Sequence, residues 1–222
     1  MATYKVVETF LSINGEGRKA GQLATFVRMK GCNLNCAYCD TKWANEADAS
    51  FTEMTKEEIK AVVVANGAKN VTLTGGEPLL REGIDELLEE LLTIPGLTIE
   101  IETNGSVDVR PYLIYGDRVT MTLDYKLGAS EMEHLMFEPN FDAVRECDTV
   151  KFVSGSIKDL ERAVEVMNTH SLIGRCGCYL SPVFGSITPA DMVEFMKDKM
   201  LNGVNLQIQM HKVIWDPEEK GV

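Results

Sequence analysis

Three cysteines, Cys32, Cys36 and Cys39, stand at C-x3-C-x2-C spacing just after an apolar, strand-like run from Ala24 to Val27. Thiolates this close in sequence can converge on one metal centre. A closed zinc site and an ordinary iron–sulfur cubane each take four protein ligands. None of the histidines His134, His170 and His211 is near the triplet, and Cys147, Cys176 and Cys178 lie far along the chain. Ligand counting therefore favours a [4Fe-4S] cluster on three cysteines over a zinc knuckle or unligated thiols. Such a cluster leaves one iron open to a small molecule.

Bulk properties narrow the partners of that site. The 22 basic and 34 acidic residues leave a net charge of −12. This argues against a nucleic-acid or anionic-membrane surface, since both call for basic patches. It leaves room for a small anionic substrate met by one or two arginines. No apolar run reaches membrane-spanning length, and Met1 to Lys5 lacks a signal-peptide layout. The expected compartment is the cytoplasm, where thiols stay reduced. Cys147 and the Cys176-Gly177-Cys178 pair then read as small buried hydrophobes, because alternation puts Cys176 and Cys178 on one strand face.

Strand-like runs recur at Lys5 to Leu11, Ala24 to Val27, Asn70 to Thr74, Leu97 to Thr103, Arg118 to Leu123, Asp148 to Val153, Gly177 to Leu180 and Val204 to Met210. Helical patterns separate many of them. Thr55 to Glu58 is a capping box, Gly83 to Leu92 is amphipathic with Asp85 to Glu90 supplying its wet face, Ser156 caps a helix, and Pro189 sits at a first helical position. The stretch Leu127 to Phe141 carries no assignable pattern, and a polar tail follows His211. This alternation implies an α/β fold, an incomplete (β/α) barrel of about six parallel strands, since a full eight-fold barrel usually takes about 250 residues. One compact domain over 1–222 is the economical reading, with the cluster loop at 32–39.

Polar residues cluster just past the strand ends: the cysteine loop, Gly75-Gly76-Glu77, Thr103-Asn104, Asp124 with Lys126, Ser154, Ser181 and His211. In a parallel barrel those ends share one rim, and the rim carries the active site. In Gly75-Gly76-Glu77-Pro78 the glycines can expose backbone to a ligand, and Glu77 can hold an ammonium group. Elsewhere the residues alone leave alternatives open. Ser12 to Gly17 reads as a surface turn or as a loop carrying Glu16 to a site. Arg28 reads as a bidentate anion clamp or as a solvent-facing strand residue. Asp40-Thr41 suits a hard cation such as Mg²⁺, or a helix cap.

The cysteine triplet after one strand and Gly-Gly-Glu-Pro after another resemble the radical S-adenosylmethionine (SAM) superfamily. That resemblance implies SAM on the open iron, cleaved by one electron to a 5′-deoxyadenosyl radical that takes hydrogen from substrate. Ser12 to Gly17, Phe26-Val27-Arg28, Cys39-Asp40-Thr41, Thr74 to Pro78 and Gln209 to Lys212 together look like the 7-carboxy-7-deazaguanine synthases. These turn 6-carboxy-5,6,7,8-tetrahydropterin into 7-carboxy-7-deazaguanine with loss of ammonia, on the way to queuosine and other deazapurines. The resemblance implies a SAM site of Tyr38, Asp40, Gly75, Gly76, Glu77, Asn104, Asp124, Lys126 and Ser154, with Ser181 close by. It implies a pterin site of Ile13, Asn14, Gly15, Glu16, Arg28, Thr74 and His211, with Thr41 on Mg²⁺. A homodimer and an electron donor such as flavodoxin or ferredoxin are also implied. Asn14 stands where the family often has glutamine, and Asp124-Tyr125 precedes Lys126 where many members have Ser-Pro. The competing readings are a glycyl-radical-enzyme activase of the same superfamily and a non-enzymatic zinc module.

Overall fold

The computed structural model describes residues 2–217 and 219–222. Its elements in chain order are β1 (Thr3–Ile13), β2 (Leu23–Met29), α1 (Lys42–Asn45), β3 (Thr52–Thr55), α2 (Lys56–Asn66), β4 (Asn70–Gly75), α3 (Ile84–Leu92), β5 (Thr98–Thr103), β6 (Val119–Tyr125), α4 (Pro139–Ala143), β7 (Thr149–Ser154), α5 (Ile157–Thr169), β8 (Gly177–Pro182), α6 (Pro189–Asp198), β9 (Val204–Leu206) and α7 (His211–Ile214). All nine strands form one sheet in the order β3-β1-β2-β4-β5-β6-β7-β8-β9. From β2 to β9 every neighbouring pair is parallel, whereas β1 runs antiparallel to both β2 and β3. The sheet is therefore the expected parallel array with an antiparallel extension, and β3 and β9 are its edges.

One face of the parallel strands carries Val71, Leu73, Ile99, Ile101, Met121, Leu123, Val150, Phe152, Cys178 and Leu180, all buried in the main core. Helices cover that face. In α3 the residues Ile84, Leu87, Leu88 and Leu91 are buried at helical spacing, while Asp85, Glu86 and Glu89 face water. Helix α2 starts at the expected capping box, with Glu58 N donating to Thr55 Oγ1 (3.3 Å) and Thr55 N to Glu58 Oε2 (2.8 Å). Ser156 and Thr188 likewise accept from the third residue of α5 and α6. Cys176 and Cys178 are buried in the core as expected.

The structure departs from the sequence reading in four places. Thr52–Thr55, just before α2, forms the edge strand β3, for which the sequence showed no run. The last strand ends at Leu206, not Met210, because Gln207 turns its side chain onto Gly17: Oε1 accepts from Gly17 N (2.7 Å) and Nε2 donates to Gly17 O (3.3 Å). The chain after His211 opens with α7. The stretch 127–141 is ordered by 3₁₀ turns and α4; it meets the cluster loop where Ala37 N donates to Ser130 O (3.1 Å), and it meets the segment after β5 where Asn140 Nδ2 donates to Gly105 O (3.0 Å) and Val107 O (2.7 Å).

Candidate active site

The opposite face of the same strands is polar. Arg28 on β2 is paired in register with Thr74 on β4, Glu102 on β5 with Thr122 on β6, and Asp124 with Lys151 on β7. Strands buried on both faces of a parallel sheet ordinarily read as continuous apolar runs. Here Thr98 to Thr103 and Thr120 to Asp124 alternate instead, so the inner surface of the open barrel is a polar lumen.

The rim at the C-terminal strand ends holds the cysteine loop. Cys32 Sγ accepts from Leu34 N (3.4 Å) and Asn104 Nδ2 (3.5 Å), and Cys39 Sγ lies 3.6 Å from Thr41 Oγ1. Burial pushes the Cys32 and Cys36 thiols up; N–H donors from Leu34 and Asn104 oppose this at Cys32, and the Lys126 ammonium opposes it at Cys36. A thiolate here thus needs a strong cation beside it. Among the described residues no three His, Cys, Asp or Glu side chains converge on a single ion, whereas a cubane takes each thiolate on a different iron.

Gly75 and Gly76 admit no side chain. At Gly75 a Cβ would fall 2.2 Å from Met29 O, and φ is +144°; at Gly76 it would fall 2.1 Å from Gly31 O and 2.3 Å from Asn45 Oδ1. The two glycines therefore lay the end of β4 directly on the start of the cluster loop. Glu77, expected to hold an ammonium group, is fully buried with both oxygens engaged: Oε1 accepts from Leu79 N (3.0 Å) and Thr103 Oγ1 (2.9 Å), and Oε2 from Asn104 N (2.7 Å). What this motif offers a ligand is backbone. Asn104, also expected at SAM, spends its amide on Cys32, on Asn33 Oδ1 (3.0 Å) and on the Ser106 hydroxyl (2.6 Å).

Below the rim runs an ion ladder. Lys126 Nζ is 2.8 Å from Asp124 Oδ2 and 5.9 Å from the centre of the Tyr38 ring; Lys151 Nζ is 3.7 Å from the same Asp124 oxygen and 2.7 Å from Glu16 Oε2. Burial works against both ammonium groups. Asp124, Tyr38 and Cys36 together outweigh it at Lys126, and Glu16, Asp124 and Glu102 together outweigh it at Lys151, so both pKa values rise above the ordinary lysine value. Asp124 Oδ1, Ser154 Oγ and Asn45 Oδ1 are buried and find no hydrogen-bond partner among the described residues. Orphaned acceptors beside a ladder of fixed charge fit a polar, charged ligand such as SAM.

The loop after β1 lies at the other end of the barrel, because β1 is antiparallel to β2 and Ile13 pairs with Leu23 at the start of β2. It crosses to the β8–β9 side and forms a floor. Glu16 points inward to Lys151 and to Ser181 Oγ (3.4 Å), and a side chain at Gly15 would meet His211 Nδ1 at 3.5 Å. Burial lowers the His211 pKa, while Glu16 and Asp40 oppose it. Arg28 is no solvent-facing residue. Its Nε donates to Glu8 Oε1 (2.7 Å), and its charge steadies Glu102, whose carboxyl is nonetheless raised by burial and also bonds Thr74. Asn14, expected to contact the pterin, is 2% exposed, and Thr72 and Glu100 hold its two amide ends.

Glu100, Glu102, Lys151 and Gln207 were not singled out in the sequence. The alternating acidic residues in Thr98 to Thr103 are the signal that marks the first two. His134 lies beside a surface depression of about 600 Å³ around Tyr125, Glu133 and Arg162, and His170 beside a second of about 460 Å³ around Tyr125, Glu138 and Arg162; neither holds any of the rim residues.

Residues 26–125, the span from β2 to β6 that holds the cysteine loop and the two glycines, match the Radical SAM superfamily. The chain is 53% identical over 219 residues to the 7-carboxy-7-deazaguanine synthase of Clostridium acetobutylicum, covering 99% of each, and 36% identical over 225 residues to that of Chlorobaculum tepidum, covering 100% of this chain and 98% of the relative. Its fold matches QueE from Escherichia coli with a TM-score of 0.74 at 25% identity, covering 94% of this chain and 95% of that one. It also matches the fold of anSMEcpe, solved with bound AdoMet, with a TM-score of 0.54 at 16% identity, covering 82% and 62%. With rim, lumen and floor all inside the matched span, the chain belongs to the 7-carboxy-7-deazaguanine synthase family.

Proposed function

We propose that this chain converts 6-carboxy-5,6,7,8-tetrahydropterin to 7-carboxy-7-deazaguanine with loss of ammonia, as one radical SAM domain over residues 1–222. The observation that carries the reading is the enclosure of one polar lumen between a three-cysteine rim and a floor loop bearing Glu16. A [4Fe-4S] cluster on Cys32, Cys36 and Cys39, with SAM on its open iron, supplies hydrogen-atom abstraction when bound.

The residues of the chain divide the remaining work. The N–H groups of Leu34 and Asn104 orient the Cys32 sulfur. Gly75 and Gly76 present backbone to SAM, while Asp124, Lys126, Ser154 and Tyr38 line its polar part. Asp40, exposed at the end of the cysteine loop, is assigned to the same site. Near the rim end of β2, Arg28 offers its terminal nitrogens to the substrate carboxylate while Glu8 fixes its Nε. Glu16, Thr74, Gly15, Ile13 and His211 complete the pterin site, and closure of the lumen keeps water from reactive species. Thr41 stands at the N-cap of α1 without making a cap bond, which supports the Mg²⁺ role over the cap. Mg²⁺ commonly keeps waters and shares a substrate anion, so a single protein hydroxyl suffices as its anchor.

None of the six cysteines is in a disulfide, which accords with a reducing cytoplasmic setting. No described helix is long and apolar enough to cross a membrane. The cluster loop lies at the barrel rim, where a flavodoxin or ferredoxin could deliver an electron, and a homodimer accords with the family resemblance. The test is anaerobic incubation of cluster-loaded protein with SAM, reductant, Mg²⁺ and carboxytetrahydropterin. Formation of 7-carboxy-7-deazaguanine without any partner protein is expected. SAM cleavage with no deazapurine would contradict the substrate, and a colourless zinc protein would contradict the site.

A further inference from the structure

The floor loop is gripped by a carboxyl that the chemistry above does not use. Glu100 lies on the lumen face of β5, two residues before Glu102, and is 3% exposed. Its Oε1 accepts from Thr122 Oγ1 of β6 (2.5 Å), and its Oε2 accepts from Asn14 Nδ2 (3.3 Å). Asn14 Oδ1 accepts in turn from Thr72 Oγ1 of β4 (2.8 Å). Two adjacent strands, β4 and β5, thus hold one side chain of the loop, and a third, β6, braces Glu100. The Asn14 backbone closes the loop on itself, donating to Gln22 O (2.8 Å) and accepting from Gly21 N (2.7 Å). A side chain at Gly17 would stand 3.1 Å from Glu100 Oε1, so the loop backbone rests against this carboxyl as well. Gly15 and Glu16 lie between those two points of contact.

We propose that Glu100 is a positioning residue for the pterin site: it docks the floor loop onto the sheet through Asn14 and thereby sets where Gly15 and Glu16 meet the substrate. The inference rests on the function proposed above. It also gives Asn14 a different part, as the anchor of the loop rather than a pterin contact.

The groups facing Glu100 make its charge responsive near neutral pH. Burial and the neighbouring Glu102 push its pKa up to about 7, against Thr122, Lys19 of the floor loop and Lys151 of β7. As a carboxylate it accepts from Asn14 with charge assistance; as the neutral acid it loses that assistance. The loop is therefore held more tightly on the alkaline side.

Anaerobic steady-state kinetics on cluster-loaded protein test this, with 6-carboxytetrahydropterin as the varied substrate. Glu100→Ala removes the anchor and should raise the pterin KM by about tenfold, with iron content and the SAM KM unchanged. Glu100→Gln can keep the loop docked, since the Asn14 amide can flip while the Thr72 hydroxyl turns to accept. It should hold the pterin KM within about threefold at alkaline pH and abolish the rise in KM that wild type shows as pH falls through about 7. A Glu100→Ala KM within about twofold of wild type, or an acid-side rise that persists in Glu100→Gln, overturns the inference. Should Glu100→Ala lose its iron, the Glu100→Gln profile decides. Failure of wild type to turn over the pterin at all would count against the function, and is read separately from either variant.

Discussion

Lys151 and Glu16 join the sheet of the barrel to its floor. The ammonium of β7 lies 2.7 Å from a carboxylate 135 residues earlier, and their side chains are 11% and 12% exposed. Removing one partner of such a buried pair strands the other charge. Lys151→Met should cost about 3 kcal/mol, or roughly 6–12 °C in melting temperature for a chain of this size. Glu16→Gln combined with Lys151→Met should cost clearly less than the sum of the two single changes. Melting under anaerobic conditions reads both, and strict additivity would show that the pair is not coupled.

Gly76→Ala is expected to act on the cluster and not on SAM alone. The new methyl would fall 2.1 Å from Gly31 O, which is backbone and cannot swing aside. The cluster loop must shift to admit it. Iron content after anaerobic reconstitution should fall well below that of wild type. A variant that keeps its full iron and loses only SAM affinity would contradict this coupling.

Glu77→Gln should be felt first as stability. The Glu77 carboxylate accepts three hydrogen bonds that join the turn after β4 to the end of β5. An amide nitrogen in place of one oxygen cannot accept, so at least one buried donor is left unmatched, at about 1–3 kcal/mol. The melting temperature should drop while the SAM Kd of the folded fraction moves little. A large loss of SAM affinity at unchanged stability would restore a direct ligand role for Glu77.

Glu100 makes stability and pH oppose each other. Its pKa rises from an ordinary 4.5 to about 7 in the fold. A raised carboxyl pKa contributes stability below the unfolded value, and that contribution is lost as pH climbs through about 7. The rise corresponds to about 3 kcal/mol as an upper figure. Glu100→Gln should therefore melt above wild type at about pH 8, and the gap should close toward about pH 4. Equal melting curves at the alkaline end would contradict the buried, reluctant charge.

Thr41→Ala should lower turnover and blunt the response to Mg²⁺ while leaving iron content intact. The Thr41 hydroxyl lies 3.6 Å from Cys39 Sγ and makes no cap bond, so little stability rides on it. Full activity with an unchanged metal response would remove Thr41 from the Mg²⁺ site.

Much of the rim was legible in the sequence because local motifs write it. The cysteine spacing, Gly75-Gly76, the caps of α2, α5 and α6, and the strand ends all depend on residues a few positions apart. The lumen and the floor were not legible, because they depend on pairings across the chain. Glu100 meets Asn14 over 86 residues, Lys151 meets Glu16 over 135, and Gln207 meets Gly17 over 190. Alternation in Thr98 to Thr103 announces two faces, but only topology says that the acidic one lines the barrel. The antiparallel course of β1 likewise decides that Glu16 enters from the end opposite the cysteines. Glu77 and Asn104 sit in the expected motifs, yet their polar atoms are consumed by neighbours that only the fold supplies.

The central claim is that pterin and SAM share one lumen between the cysteine rim and the Glu16 floor. Substrate deuterated at the carbon bearing its carboxylate tests this most directly, by mass spectrometry of the SAM and 5′-deoxyadenosine recovered together after anaerobic turnover. Loss of ammonia alone makes the conversion redox-neutral, so the abstracted hydrogen must be given back, and the account predicts deuterium in this SAM and 5′-deoxyadenosine pool as 7-carboxy-7-deazaguanine forms. Deazaguanine formed while both stay unlabelled would contradict it.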